Sequence, residues 1–371
     1  MNLFAKTLLC LVLFSVTGYA QGRQAGPNLP SPRPLPLREQ MEIREGWIKK
    51  RLGEILPAIM KRRGIDMWIV VNEEFKSDPV TEYIVPPIPI VGRRDLFVFA
   101  LNGEKIDKFA FVRYDEERLK NHFTLIMPER DKFGEAIRQL VDERRPKSIA
   151  LNFGGTRGQQ SGLSHDAYKF LADALGPDNE KKFVSAADLL TEFLDTRIPD
   201  ELEHYRLAVA ITDAITRRAL SNEVITPGKT TVGDVRWWMM QQVSNFGLGI
   251  WFQPDFRVQR KTAIPGTTQQ FLSTAEESLV FQRGDLIHVD FGVIYMGFST
   301  DWQKHAYILN EGEKDVPNGL KAAMQNTNRL QDIIFGFARA GMTGSDVYQM
   351  AMAEAKRQNV EAMIYSHPIG A

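Results

Sequence analysis

Two apolar runs, one closing on an aspartate and the next opening with another, constrain this chain more than any other feature. Gly284-Asp285-Leu286-Ile287-His288-Val289-Asp290-Phe291-Gly292 ends around Asp290, and Asp301-Trp302-Gln303-Lys304-His305-Ala306-Tyr307-Ile308-Leu309 begins at Asp301. With Tyr295, Met296 and Gly297 between them, the runs predict a β-hairpin. A turn centred between Tyr295 and Met296 makes Asp290 and Asp301 cross-strand partners, with Cβ atoms about 5 Å apart and both carboxylates on one face. Like charges directly opposite each other destabilise a sheet. On strands apolar enough to be buried, such a pair needs a cation or a shared proton between its carboxylates. Two readings follow: one Asp caps a strand end and the two never meet, or the pair is part of a divalent-metal site.

His367, within Ser366-His367-Pro368-Ile369-Gly370, extends the pattern. An Asp-Phe-Gly context, a second Asp after ten residues, and a later His followed by Pro-Ile-Gly together resemble the signature of the pita-bread metallopeptidases. That family includes aminopeptidase P, prolidase, methionine aminopeptidase and the metal-free creatinase. The resemblance implies that Asp290 binds one metal ion, that Asp301 bridges two, and that His367 binds the other. Oxygen-rich ligation with one imidazole suits manganese, cobalt or zinc. Two such ions would activate water and polarise a scissile carbonyl. The implied reaction is hydrolysis of a peptide bond near an N-terminus, X-Pro in particular, as in the secreted Xaa-Pro aminopeptidases.

Two departures from the family pattern are expected to matter. Its glutamate ligands and a second active-site His lie further toward the C-terminus than His367, so the pita-bread part reads as incomplete at Ala371 and the fragment as inactive alone. A substrate-binding His is expected shortly before the first Asp, yet no histidine stands between His204 and His288, and Ser273 occupies about that position. A serine cannot act as an imidazole acid or stabilise an oxyanion as a cation does. The alternatives are a non-catalytic pita-bread binding protein and a metal-free creatinase-like hydrolase; retention of both aspartates and the His argues against the second.

The upstream sequence predicts an α/β (α+β) chain in several parts. Residues 1–20 carry one positive charge before Thr7–Val16, a short apolar run, and Gly18-Tyr19-Ala20 offers small residues for signal peptidase. Cleavage after Ala20 and a periplasmic or secreted location follow; ten or so apolar residues are too few for a stable membrane anchor. Cys10, the sole cysteine, lies in this segment, so the exported part has neither disulfide nor thiolate ligand. Residues 21–37 contain Pro27, Pro30, Pro32, Pro34 and Pro36, which predict an extended linker.

Helical spacing of Ile43, Trp47, Leu52, Ile55, Leu56 and Ile59 predicts one helix over 38–62. Strands over 66–71, 96–101, 109–114 and 148–153, alternating with helices over 132–144 and 164–175, give an α/β domain. Gly64-Ile65-Asp66-Met67-Trp68-Ile69-Val70 resembles the opening of the creatinase-type N-terminal domain, which is assigned residues 38–196. Pro199, with Asp200 and Glu201 behind it, predicts a helix start and the seam to the pita-bread domain, 197–371. Within that domain, Thr226-Pro227-Gly228-Lys229-Thr230 before Asp234 is echoed by Arg339-Ala340-Gly341-Met342-Thr343 before Asp346, as two pseudo-symmetric halves would leave.

The remaining signals are mostly structural. Gly154-Gly155-Thr156-Arg157-Gly158 lacks dinucleotide or P-loop spacing and reads as a loop. His288 and His305 sit at even offsets from the aspartates, either behind the site or as satisfied structural residues. His122, His165 and His204 read as surface or helix residues, and Trp237, Trp238, Met239 and Met240 as core. The chain is 43% hydrophobic and 25% charged with zero formal charge, a balance that suggests neither a nucleic-acid partner nor an anionic membrane surface; a peptide substrate is what the resemblance implies. A homodimer is an expectation of the family resemblance alone.

Overall fold

The computed structural model describes residues 32–86, 89–261 and 273–364. The expected signal peptide with Cys10, the expected linker up to residue 31, and His367 with its Pro-Ile-Gly fall outside the described residues. An α1 helix (Leu37–Lys50) runs through a π turn (Arg51–Ile55) into α2 (Leu56–Arg63), and Gly64 ends it at φ 65°. The expected single helix therefore contains a widened turn. Pro57 accounts for it: a proline has no N–H to donate and its ring crowds the carbonyl four residues back, which a π turn relieves.

Six strands follow: β1 (Met67–Glu73), β2 (Arg94–Asn102), β3 (Lys105–Phe111), β4 (Thr124–Ile126), β5 (Ile149–Leu151) and β6 (Phe183–Ser185), in sheet order β4-β3-β2-β1-β5-β6. β1 pairs antiparallel with β2 and parallel with β5. Its first five residues, 67–71, are all apolar because both faces are covered. Trp68 and Val70 pack toward α2 and α5 (Ala187–Asp195), while Met67, Ile69 and Val71 pack toward α3 (Phe133–Arg144) and α4 (His165–Leu175). Ser164 caps α4, its Oγ accepting from Ala167 N at 3.0 Å.

Next come α6 (Pro199–Ala219) and α7 (Val232–Asn245), then a sheet of β7 (Asp255–Gln259), β8 (Leu286–Phe291) and β11 (Trp302–Tyr307) in order β11-β8-β7. A two-stranded ribbon of β9 (Ile294–Tyr295) and β10 (Phe298–Ser299) forms the tip between β8 and β11. One face of the three-stranded sheet is apolar: Ile287, Val289 and Phe291 join Phe256 and Val258 against Ile211, Ile215, Val235 and Met239. The opposite face is polar. Helices α8 (Asn318–Phe337) and α9 (Gly344–Arg357) pack on each other around Ile333, Ala351 and Ala355. No helix among the described residues is long and apolar enough to cross a membrane.

Arg51 ties the π turn to the start of α6. Its guanidinium lies 2.9 Å from Glu201, both side chains buried, and also donates to Thr196 O at 2.8 Å. The echoed loops share one local structure. Gly228 and Gly341 take φ 78° and 89°, and Thr231 with Asp234, like Thr343 with Asp346, form a reciprocal N-terminal cap. Two expectations are corrected. Trp237 is 63% exposed because the buried stripe of α7 runs through Val232, Val235, Arg236, Met239 and Val243, leaving 237 on the outer side. His122 is buried, not superficial, with its Nε2 3.2 Å from Glu45.

Candidate metal centre

The hairpin carrying Asp290 and Asp301 turns at Met296 and Gly297, with φ 53° and 86°, and Tyr295 pairs with Phe298. Two left-handed residues between paired strands make a type I′ turn, whose twist matches that of the ribbon. The turn therefore sits one residue beyond the expected centre, and the pairing shifts by two. Gln303 lies opposite Asp290, and the ladder of β8 and β11 ends at Phe291 and Trp302, so Asp301 is diagonal to Asp290. A shift of two preserves facing. Both carboxylates stay on the polar side, and the Asp301 carboxylate lies within hydrogen-bonding reach of Asp290.

A third carboxylate shares that face. Asp255 on β7 is directly opposite Asp290, and Arg257 is opposite His288. Arg257 donates to Asp255 at 3.1 Å. Neither was singled out from the sequence, although Asp255-Phe256-Arg257-Val258-Gln259 alternates with the period of a half-buried strand. His288 and His305 are cross-strand partners with ring centroids 4.9 Å apart. His288 Nε2 meets Gln303 Oε1 at 2.9 Å, and Gln303 Nε2 donates to Asp290 Oδ2 at 3.2 Å. The first of the two histidines is thus linked to Asp290 through one amide.

Burial, the Asp301 carboxylate and then Asp255 push the Asp290 carboxyl up to about 6, with Arg257 opposing. Burial also holds both imidazoles below their ordinary range; Gln303 pulls His288 partly back, and His288 depresses His305 further. Asp290 Oδ1 and Asp255 Oδ1 are buried with no hydrogen-bond partner among the described residues. Three carboxylates face one guanidinium, which leaves excess negative charge on oxygen donors. That chemistry fits a hard or borderline divalent cation. Among the described residues no three His, Cys, Asp or Glu side chains form a complete metal-holding group, and His367 lies outside them.

Residues 203–371 match the model of metallopeptidase family M24. They form a Peptidase_M24 domain. Solved structures similar to most of the chain include an X-Pro aminopeptidase from Thermotoga maritima, at 17% identity and TM-score 0.59, covering 81% of this chain and 78% of that one. A putative aminopeptidase P from Bacillus anthracis matches at 11% identity and TM-score 0.63, covering 86% and 78%. The prolidase from Pyrococcus horikoshii matches at 17% and 0.52, covering 84% and 78%. Identities this low speak for the fold. No curated protein matches the chain. The mixed α/β architecture of the M24 domain is that of the pita-bread peptidases.

Proposed function

We propose that this protein hydrolyses peptide bonds near an N-terminus, X-Pro bonds in particular, with two divalent ions held by Asp290, Asp301 and His367. The observation that carries the reading is the Asp290–Asp301 pair: two carboxylates on one face of a twisted ribbon, one of them pushed up by burial and by the other. Manganese, cobalt or zinc bound there would supply Lewis acidity and an activated water near neutral pH. Gln303 holds one oxygen of Asp290 and leaves Oδ1 without a hydrogen-bond partner among the described residues. Neutral His288 fixes the amide of Gln303 and can hold a proton close to the carboxylates. The division near Arg197 separates the six-stranded domain, residues 38–196, from the domain that carries this chemistry.

One observation favours a second reading, a binding protein without hydrolysis. Arg257 already places a positive charge beside Asp255 and Asp290, and Ser273 stands where the family keeps a histidine. The experiment that separates the two is incubation of the full-length protein, carrying the further ligands the resemblance expects, with X-Pro peptides in manganese, cobalt or zinc. Release of the N-terminal residue, stopped by chelator, is the expected result. Intact peptide in the presence of all three metals contradicts the peptidase reading.

A further inference from the structure

Trp251 stands beside the carboxylates in a way that the metal chemistry leaves unused. Gly249 and Ile294 form an antiparallel bridge, with N–H to carbonyl distances of 3.0 and 2.8 Å in the two directions. Two residues on from that bridge, the Trp251 side chain reaches Gly292. On the other side of β8 the pairing with β11 continues one step past Phe291 and Trp302, bringing Asp301 opposite the same glycine. The Trp251 indole and Asp301 therefore flank the same glycine. Asp255, Asp290 and Gln303 form a row across the sheet, two residues along β8 from that glycine and so on the same side of the pleat.

The indole lies over Gly292. A Cβ at that glycine would sit 2.4 Å from Trp251 Nε1 and 2.0 Å from Thr300 O, so no side chain fits. Trp251 Nε1 donates to Thr300 O at 3.0 Å, while Val293 N turns instead to the Thr300 hydroxyl at 2.9 Å. The ribbon thus gives up a ladder bond to the indole immediately before Asp301. Phe252 packs edge-on against it at 4.4 Å. The ring is pinned by its N–H and buttressed on one side, yet Trp251 remains 47% exposed. A core tryptophan would be covered, and a surface one would not need the hydrogen bond or the glycine. Rigid amphipathic rings bind apolar groups at low entropic cost, and such residues concentrate binding energy in recognition sites.

We propose that Trp251 is a specificity-determining residue, the aromatic wall on which a substrate peptide lays a pyrrolidine ring or an apolar side chain next to the scissile bond. The proposal rests on the peptidase reading above and adds the substrate contact to it. Trp251→Ala should raise KM for X-Pro peptides by about tenfold or more, with metal content unchanged. Trp251→Phe keeps a ring but loses the Nε1 donor, and should raise KM by less than the alanine variant. Peptide binding should quench a component of tryptophan fluorescence present in the wild-type protein and missing in Trp251→Phe, a signal that a purely structural role would not produce. Wild-type KM in Trp251→Ala, or identical quenching in wild type and Trp251→Phe, overturns the assignment while leaving the peptidase reading standing. A wild-type protein that binds metal but neither cleaves X-Pro peptides nor changes fluorescence with them overturns both.

Discussion

Asp301→Asn lowers the rate of X-Pro peptide hydrolysis by at least about a thousandfold, the expected consequence of removing a charge that neutralises cations at the reacting centre. The substitution is nearly isosteric and Asp301 is exposed at the end of the β8–β11 ladder, so stability should hardly change. The loss should therefore appear in activity and metal uptake with an unaltered circular dichroism spectrum. Asp290→Asn should behave in the same way. Its carboxyl, pushed up to about 6 by burial and by Asp301, gains most from a bound cation, because the cation removes the repulsion that holds its proton. Retention of activity in Asp301→Asn to within about tenfold would be incompatible with a bridging role.

The second large effect lies in the other sheet, away from the chemistry. Asp95 on β2 is completely buried opposite Asn72, and neither of its carboxylate oxygens finds a hydrogen-bond partner among the described residues. Burial pushes this carboxyl up to about 7; the Gly92 amide offsets part of that without completing a hydrogen bond, and Glu116 adds to it. In the unfolded chain an Asp titrates near 4, so the folded state holds the proton more tightly. The sign follows: the contribution to stability is full below pH 4 and is lost as pH rises through 7. A shift of this size corresponds to about 3–4 kcal/mol for a group out of contact with water. Urea denaturation at pH 4 to 8 should show wild-type stability falling by about that amount from this group, and Asp95→Asn should remove that slope. Parallel pH profiles for the two proteins would mean that Asp95 finds a partner after all.

How much of this could be read in the sequence depends on how local each determinant is. The strand-and-helix alternation around the six-stranded sheet was legible because β1 is apolar on both faces and α4 carries its own serine cap. The start of α6 was legible because Pro199 and two acidic residues mark a helix N-terminus. The hairpin was legible as a hairpin, but its register was not. That depended on Met296 adopting a left-handed conformation, which non-glycine residues seldom take. Because the resulting shift is even, the two carboxylates still share a face. Asp255 and Arg257 escaped notice although their strand alternates, since their pairing with β8 spans a long intervening segment and nothing local announces it. His122 and Trp237 failed for the same reason in opposite directions. One is buried under a helix distant in sequence, and the other lies on the outer side of a helix whose neighbours cover only one stripe.

The central claim is that the aspartates of this ribbon, with His367, collect divalent cations. Equilibrium dialysis of the full-length protein against manganese, cobalt or zinc, followed by elemental analysis of protein and dialysate, measures it directly. The account predicts about two ions bound per chain and loss of at least one in Asp290→Asn and in Asp301→Asn. Absence of bound metal in the wild-type protein, or the same metal content in all three proteins, would contradict it.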